Sequence, residues 1–429
     1  MQAVEVEAQP ITNGPWYKEI NNQQWKALIG AFLGWALDAF DFLLYNFVIV
    51  TLIKEWGLTT ASTGLVASVT VVASALGGIV FGRVADKIGR TKALSMTVLI
   101  YSVATMLCGL SPNIWFLMFF RIFVGLGMGG EWSAGAALIS ETWPKEHRGK
   151  AMSIMQSGYA VGGLTAALVA GPLINAFGWR AVFFIGVLPA LLVFWIRKNV
   201  EEPKIWVENE VKEEIQVKKD KEEKTSWFDL FRGNLLKPTI IGTLFCIVGL
   251  GASYPIATWL PAYLGTPVSE GGAGFNVVNA SIFMVPFYLG SICGYIVYGF
   301  LSDKIGRKKS FALFFAVAAI FIPTFIFTGA SNMVIFFLLM FIVGAAYCGY
   351  YGGFGTVLAE MFPTRLRGSG QGFAYNVGRG VSAFAITGAG AIAITTGLGT
   401  ALVYSSVGLY IIAIFAVALL PETKGKELE

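Results

Sequence analysis

The sequence predicts an all-α membrane protein whose twelve transmembrane helices form two six-helix pseudo-repeats. Composition is the first observation: of 429 residues, 55% are hydrophobic and only 13% are charged, and the mean hydropathy is +0.67. A water-soluble fold cannot bury that much apolar surface, so lipid must surround most of the chain. The other two observations are twelve separate apolar segments and two motifs that recur in both halves of the chain.

Each of the twelve segments approaches the ~20 mostly apolar residues that cross a bilayer. The first six cover residues 25–53, 62–82, 93–110, 114–138, 151–175 and 181–197. The last six cover residues 238–262, 277–300, 310–329, 333–358, 371–394 and 399–420. One long polar segment of mixed charge separates the two sets. We therefore expect an N-terminal bundle, a solvated linker and a C-terminal bundle at 1–197, 198–237 and 238–429.

Positive charge is distributed unevenly between the two sides of the predicted spans. The side that holds both termini carries most lysines and arginines, whereas the opposite loops hold only Lys54 and Arg180. Because cytoplasmic loops are enriched in these residues, both termini and the linker are predicted to face the cytoplasm from a cell membrane. The first 24 residues lack the apolar core of a cleavable signal peptide.

Two motifs that follow equivalent spans repeat with nearly the same offset. The loop after the second span, 82–92, is GRVADKIGRTK, and the loop after the eighth, 299–309, is GFLSDKIGRKK, 217 residues later. An ETWP sequence after the fourth span recurs as EMFP after the tenth, 219 residues later. This near-constant offset predicts an internal duplication.

The charged side chains of these motifs predict a cytoplasmic gate. Aspartate, glutamate and arginine can cap helix ends and bridge neighbouring helices, although the same loops could serve only as topology anchors. The expected gate residues are Asp86, Arg90, Asp303, Arg307, Glu141, Arg148, Glu360 and Arg367.

Several ionisable residues fall inside predicted spans, where a charge costs about 2.5–3.5 kcal/mol on insertion scales and therefore needs a partner or a role. Asp41 lies ~24 Å from the cytoplasmic start of the first span, and Arg121 lies ~10 Å from the outer start of the fourth. In a core ~30 Å thick these two residues reach similar depth and can pair. Asp38 lies one turn from Asp41 on nearly the same face.

These residues predict a proton-coupling site made of Asp38, Asp41, Arg121 and Glu131. A carboxylate that faces a cavity can exchange a proton, and an adjacent arginine competes with that proton. The alternative is a permanent ion pair that fixes helix packing. For Glu131, near the cytoplasmic end of its predicted span, a helix-end contact is a further alternative.

Arg379 lies near mid-depth with no acidic residue in its own span. A guanidinium in a cavity stays charged and binds carboxylates bidentately, which predicts an anion-binding site. The alternatives are pairing with Asp38 or Asp41 across the halves, or with backbone carbonyls. Polar side chains on the same kind of span are expected to line the substrate path, although tyrosine also serves as packing or an interface anchor. They are Tyr45, Asn46, Gln156, Tyr159, Tyr347, Tyr350, Tyr351, Tyr375 and Asn376.

The sequence contains no nucleotide-binding loop, metal-ligand spacing or nucleophile triad, which argues against an enzyme and against a metal or organic cofactor. The four cysteines lie in apolar segments and are interpreted as buried thiols. The expected partners are the lipid bilayer, a small organic anion and a proton, with no nucleic acid, and the chain is expected to be monomeric.

Several segments resemble one family of proton symporters. Residues 38–42, DAFDF, resemble the D-x-F-D-F signature in the first span of the sialate:proton symporter family of the major facilitator superfamily. The segments 127–132, 140–145 and 178–186 look like those of its sialic acid permeases. The segments 362–367, 375–379 and 421–425 are similar to related symporters and sugar porters more widely.

The resemblance implies a major facilitator fold with a substrate site between the halves and alternating access. It implies import of a carboxylate together with a proton, and Asp41 and Arg121 match positions implicated in proton coupling in related porters. The sialic acid permeases carry two extra spans in the central linker, whereas this linker is polar. We therefore expect a monocarboxylate such as lactate or pyruvate, with sialic acid and aromatic acids as alternatives.

Two rival functions remain open at this stage. A membrane nutrient sensor could use the same fold, but no appended signalling domain is evident. A uniporter that ignores protons would have less need of Asp38 and Asp41 inside the membrane.

Overall fold

A computed structural model describes residues 16–144, 147–202, 230–328, 332–362 and 367–421 of the chain. Throughout these ranges the regular structure is helical, with no strand. Twelve helical segments are long and apolar enough to cross a membrane, so the predicted all-α, twelve-span architecture is confirmed.

The N-terminal half contains five long helices and one broken span. The long helices are α1 Asn22–Trp56, α2 Thr60–Ile88, α3 Arg90–Cys108, α4 Ile114–Thr142 and α5 Arg148–Phe177. The sixth span consists of α6 Trp179–Phe184, a 3-10 turn at Ile185–Val187 and α7 Ala190–Asn199.

The C-terminal half repeats this order with more breaks. Its helices are α8 Leu236–Gly265, α9 Val277–Ile282, α10 Val285–Ile305, α11 Arg307–Thr328, α12 Met333–Cys348, α13 Tyr351–Met361, α14 Arg367–Ser382, α15 Phe384–Thr396 and α16 Leu398–Leu419. The eighth, tenth and eleventh spans are pairs of consecutive helices: α9 with α10, α12 with α13, and α14 with α15.

Polar caps fix where several spans begin. Asn21 Oδ1 accepts a hydrogen bond from Gln24 N at 2.9 Å, and Gln24 Oε1 accepts one from Asn21 N at 2.8 Å, which forms a capping box at the start of α1. Thr59 and Ser62 form the same arrangement at α2. Such caps satisfy amide groups that have no partner inside the helix, so each span starts at a defined residue.

The repeated motif loops are tight turns that require glycine. Gly89, between α2 and α3, has φ +102°, and Gly306, between α10 and α11, has φ +97°, a conformation that side chains disfavour. The carboxylate of Glu202 accepts hydrogen bonds from the backbone of Thr91 and Lys92 at 3.1 and 3.2 Å. The first residues of the predicted linker therefore fold back onto the start of α3, where a carboxylate is favourable.

The two halves contact each other through two pairs of spans that are related by the internal repeat. Helix α2 packs on α14 and α15, which form the eleventh span, while α5 packs on α9 and α10, which form the eighth. Because the second span corresponds to the eighth and the fifth to the eleventh, these two contacts are related by the internal repeat. The halves therefore meet with pseudo-two-fold symmetry around a central space.

Hydrogen bonds between the halves seal the side opposite the start of α1, called here the outer side. Thr60 Oγ1 donates to Gly390 O at 2.6 Å, and Ser68 Oγ donates to Ala383 O at 2.7 Å. Asn46 Nδ2 donates to Ala257 O at 3.1 Å. These short contacts between outer segments of α1, α2, α8 and the eleventh span close the central space from the outer side.

Candidate functional site

A central cavity lies between the halves, below the outer seal. About 40 Å³ of it is open to water. Half of its lining residues, seven of fourteen, are aromatic. The lining consists of Trp35, Phe42, Val71, Met128, Gln156, Tyr159, Tyr254, Ala257, Thr258, Tyr295, Tyr351, Tyr375, Arg379 and Ile386. The wall therefore combines flat apolar rings with few polar groups and one permanent positive charge.

Arg379 supplies that charge from α14. Its side chain is only 6% exposed, and its Nη2 donates to the thioether sulfur of Met128, in the opposite half, at 3.3 Å. Tyr254, Tyr375 and Asp38 lie within electrostatic range of the guanidinium. No ion pair involves Arg379 within the described part of the chain. A thioether is a weak acceptor, so the guanidinium retains strong donors for an anion.

Four of the predicted path residues line the cavity beside Arg379. They are Gln156, Tyr159, Tyr351 and Tyr375. Gln156 Oε1 accepts a hydrogen bond from Trp132 Nε1 at 3.1 Å, and the Trp132 ring stacks on Tyr375 with centroids 5.4 Å apart. Trp132 and Gln156 belong to the N-terminal half and Tyr375 to the C-terminal half, so this group joins the halves next to the cavity.

Five predicted path residues do not line the cavity in this conformation. Tyr45 donates to Thr63 O at 2.8 Å, Tyr350 donates to Gly249 O at 2.9 Å, and Asn376 donates to Gly372 O at 2.9 Å. Tyr347 packs against Phe287 with ring centroids 5.1 Å apart, and Asn46 belongs to the outer seal. The hydroxyls of Tyr45 and Tyr350 thus bond to backbone carbonyls of other spans, whereas the Asn376 amide bonds within its own helix.

The lining also includes residues that the sequence did not indicate, among them Trp35, Phe42, Tyr254 and Tyr295. The internal repeat relates two of them to each other and neither of them to a residue already expected on the path, so it could not have found them. The 219-residue offset places Trp35 at the position equivalent to Tyr254, and Gln156 at the position equivalent to Tyr375. All four line the cavity, so its aromatic wall follows the pseudo-symmetry of the fold.

The acidic residues of α1 are fully buried close to Arg121, but they do not form the direct pair expected from their depth. Asp38, Asp41 and Arg121 are each 0% exposed. Arg121 Nη2 donates to Phe42 O at 3.1 Å, and its guanidinium lies over the Phe42 and Tyr45 rings at 5.4 and 5.0 Å. The oxygens of both aspartates accept no hydrogen bond from the described residues. Their interaction with Arg121 is therefore a Coulomb interaction across a longer distance.

Asp41 sits in a pocket that glycine leaves open. A β-carbon added at Gly186, in the turn of the sixth span, would lie 3.0 Å from Asp41 Oδ1 and 2.2 Å from a methyl carbon of Thr105. The hydroxyl of Thr105 is buried without a hydrogen-bond partner among the described residues. Asp41 therefore lies against α3 and the turn of the sixth span.

Glu131 lies deeper than its sequence position indicated. Helix α4 continues to Thr142, about three turns beyond Glu131, and the Glu131 side chain is 0% exposed. A β-carbon at Gly34 would lie 2.5 Å from Glu131 Oε1, so this carboxylate packs against α1 one turn from Asp38. The helix-end contact considered for Glu131 is therefore not observed, because α4 is longer than predicted.

The carboxylate of Asp38 lies near both buried arginines, Arg379 and Arg121. Arg379, of the central cavity, and Arg121, of the N-terminal half, both lie within electrostatic range of its carboxylate. Asp41 and Glu131 in turn lie within electrostatic range of Asp38. Asp38 thus lies within electrostatic range of both buried arginines.

The motif residues form matching ion pairs inside each half. Arg90 Nη2 lies 2.7 Å from Glu141 Oε1, and Arg307 Nη2 lies 3.5 Å from Glu360 Oε1. Each pair joins the first residue of the helix after a motif loop to the end of the next span, as predicted for bridges between neighbouring helices. The side chains of the other four predicted gate residues, Asp86, Asp303, Arg148 and Arg367, lie outside the described part of the chain.

Known proteins are similar to this chain in sequence and in fold. The chain is 36% identical over 85% of its length to the sialic acid transporter NanX of Escherichia coli (strain K12), covering 86% of that protein. It is 33% identical over 96% of its length to a probable 4-methylmuconolactone transporter of Cupriavidus pinatubonensis (strain JMP 134 / LMG 1197), covering 94% of that protein.

Among solved structures, the D-xylose-proton symporter superposes with a TM-score of 0.74 at 20% identity, over 94% of this chain and 99% of that one. The sequence profile of the Major Facilitator Superfamily matches residues 31–387 and 268–428. The resemblance to sialic acid permeases and the expected absence of an enzymatic fold therefore agree with these relatives. The chain belongs to the Major Facilitator Superfamily of membrane transporters.

Proposed function

We propose that the protein is a proton-coupled symporter that imports a small organic acid with a planar ring by alternating access. One observation carries the proposal: Arg379, buried in the wall of an aromatic cavity, has no acidic partner within hydrogen-bond distance among the described residues. A carboxylate on the ligand would supply two charge-assisted hydrogen bonds to its guanidinium. The same arginine would be a poor neighbour for a cation or a fully neutral ligand.

The aromatic wall favours a ring over a short aliphatic acid. Trp35, Tyr159, Tyr254 and Tyr375 line the cavity with aromatic rings against which a planar ring would pack, and aromatic pairs contribute about 0.5–1.5 kcal/mol beyond area burial. Lactate or pyruvate, favoured by sequence analysis, would leave most of these rings without contact. Sialic acid, the substrate named for the relative NanX, is the second candidate because that relative is 36% identical.

Ligand binding requires the halves to move apart. Pockets for small molecules usually measure about 300–1,000 Å³, whereas the central cavity has about 40 Å³ open to water. The conformation is therefore a contracted one, with its outer side closed by the hydrogen bonds of Thr60, Ser68 and Asn46. Rigid rocking of the two bundles around the cavity would expand it and expose it to each side in turn.

Proton coupling would follow from the charges around Asp38. Burial disfavours a negative charge on Asp38, and in the empty site the positive charge of Arg379 partly offsets that cost. A bound carboxylate neutralises Arg379, which removes that stabilisation and makes proton binding at Asp38 more favourable. Anion and proton would then bind cooperatively, which is the linkage a symporter needs. Asp41 and Glu131 would accept or relay the proton within the N-terminal half, and Arg121 would compete with that proton for the carboxylates.

The substrate class is testable by calorimetry on purified protein in detergent. The panel contains benzoate, its saturated analogue cyclohexanecarboxylate, its neutral analogue benzamide, lactate and sialic acid. We expect benzoate to bind more tightly than the saturated ring and benzamide to bind undetectably. Equal affinity for benzoate and benzamide would refute a carboxylate site, and tighter binding of sialic acid would replace the ring-acid assignment with the second candidate.

A further inference from the structure

A second cavity lies on the outer side, at the entrance to the closed path between the halves. It has about 390 Å³ open to water, within the usual range for small-molecule pockets. Its walls come from the last turns of α1, the end of α8 and the start of the eighth span. They consist of Phe47, Val50, Thr51, Lys54, Glu55, Pro261, Gly265, Phe275, Asn276, Val277, Ala280 and Ser281.

Two charged side chains, Lys54 and Glu55, line this outer cavity, and only Glu55 has an ion-pair partner among the described residues. Glu55 accepts a hydrogen bond from Trp179 Nε1 at 2.7 Å and forms an ion pair with Arg180 at 3.2 Å. The Arg180 guanidinium lies over the Trp179 ring at 4.3 Å, which holds this group together. Lys54 is exposed and makes no ion pair within the described residues. The lysine that faces the cavity therefore has its carboxylate neighbour already neutralised.

A second donor lines the same cavity from the C-terminal half. The side-chain oxygen of Asn276 accepts a hydrogen bond from Asn279 N at 2.9 Å, which orients the amide and leaves its NH₂ group to donate. Phe47 and Phe275 supply apolar walls. An ammonium and an amide NH₂ beside apolar surface match a small organic carboxylate better than an inorganic ion or a sugar.

The outer cavity also has the right position for the first contact with an incoming ligand. Below it, Asn46 Nδ2 bonds to Ala257 O at 3.1 Å, and Ser281 bonds to the backbone of Ala167 and Gly171 across the halves. Ser281 is itself a wall residue, so its contacts between the halves lie at the wall of the cavity. A ligand held there is positioned above the central cavity and enters it when the seal opens.

We propose that this outer cavity is a low-affinity capture site for the organic carboxylate, held by Lys54 and the amide of Asn276. The inference rests on the proposed function, because it assumes that the transported ligand is an organic anion. A charge at the entrance raises the local concentration of the anion and its association rate, while the chemistry of the central cavity stays unchanged. The site therefore acts on transport from the outer side only.

Substitution of Lys54 tests the site without touching the central cavity. Lys54→Gln should raise the KM for uptake from the outer side roughly three- to fivefold, the size expected of a water-exposed charge pair, with unchanged kcat. Lys54→Arg should retain the wild-type KM. Added salt should raise the wild-type KM towards that of Lys54→Gln, because screening weakens an exposed charge. Lys237→Gln removes the same charge from an exposed lysine at the other side and is the matched control.

The measurement uses right-side-out and inside-out membrane vesicles, with labelled benzoate as the probe. The capture site predicts a KM increase for Lys54→Gln in right-side-out vesicles only. An unchanged KM from the outer side, or an equal increase from both sides, would overturn it, the latter because it indicates an effect on the central cavity. No uptake of any organic acid by the wild type would refute the proposed function, and this inference with it; wild-type uptake with an unaffected variant would refute the inference alone.

Discussion

Replacement of Arg379 is the perturbation that bears most directly on how the ligand is held. Arg379→Ala removes the only permanent charge among the lining residues of the central cavity. The wild-type side chain is 6% exposed and bonds to the sulfur of Met128 at 3.3 Å. Because Arg379 makes no ion pair among the described residues, its loss breaks no direct contact with a carboxylate. The variant is therefore expected to fold.

The magnitude follows from the bonds that the ligand would lose. A hydrogen bond to a charged group contributes about 1.5–3 kcal/mol, and part of the bidentate contact can be replaced by water or by Tyr254. We expect Arg379→Ala to weaken binding by about 2–3 kcal/mol, which corresponds to roughly 30- to 150-fold in Kd. Arg379→Lys keeps the charge and loses the planar fork, so it should weaken binding less.

Calorimetric titration of purified variants with benzoate measures this loss. Arg232→Ala, which removes an exposed arginine outside both cavities, is the matched control and should bind with wild-type affinity. A folded Arg379→Ala protein that binds the acid as tightly as wild type would refute the reasoning. Arg379 would then be structural, and Arg121 would become the next candidate for the carboxylate.

The remaining predictions address the proton site, the linker, the aromatic wall and the motif turn. Asp41→Asn should abolish accumulation driven by a proton gradient while it retains some exchange; undiminished gradient-driven uptake in proteoliposomes would contradict its role. A single cysteine at position 226 should react with an impermeant maleimide only after cells are opened, and labelling of intact cells would reverse the predicted topology. Tyr254→Leu should weaken benzoate binding about 2- to 12-fold in calorimetry and leave lactate unaffected, whereas equal losses would argue against stacking. Gly89→Ala should lower the Tm because its β-carbon would lie 2.5 Å from Glu202 Oε1 at a positive φ, while Gly82→Ala, with open space around it, should not; equal Tm values would refute this packing argument.

The architecture was predictable because the apolar segments are long and the motifs occur in both halves of the chain. Twelve apolar segments and a near-constant motif offset specify two bundles, and helix caps at Asn21 and Thr59 adjust the ends by only a few residues. The ion pairs of Arg90 with Glu141 and of the equivalent residues in the second half follow the same repeat. A hydrophobic pattern that extends over a whole helix identifies that helix even where the ends of the pattern are ambiguous.

The site was only partly predictable because depth along a helix does not determine which direction a side chain faces. Asp41 and Arg121 were assigned similar depth, yet the Arg121 guanidinium bonds to Phe42 O and lies over aromatic rings. Tyr45 and Tyr350 carry the same phenol as the lining Tyr375, but their hydroxyls reach backbone carbonyls of neighbouring spans. Arg379 was predictable because an arginine with no acidic neighbour in its span needs a partner from elsewhere.

Proton movement during transport is the measurement that tests the central claim most directly. Purified protein in lightly buffered proteoliposomes receives a pulse of the acid that binds in calorimetry, and external pH and labelled uptake are recorded together. Protein-free liposomes and Asp41→Asn proteoliposomes control for diffusion of the neutral acid. We predict that wild-type uptake is accompanied by alkalinisation of the external medium beyond both controls, and that an inward proton gradient drives accumulation of the acid. Protein-dependent uptake with the same pH trace as the controls, insensitive to the gradient, would contradict proton symport and identify the protein as a uniporter.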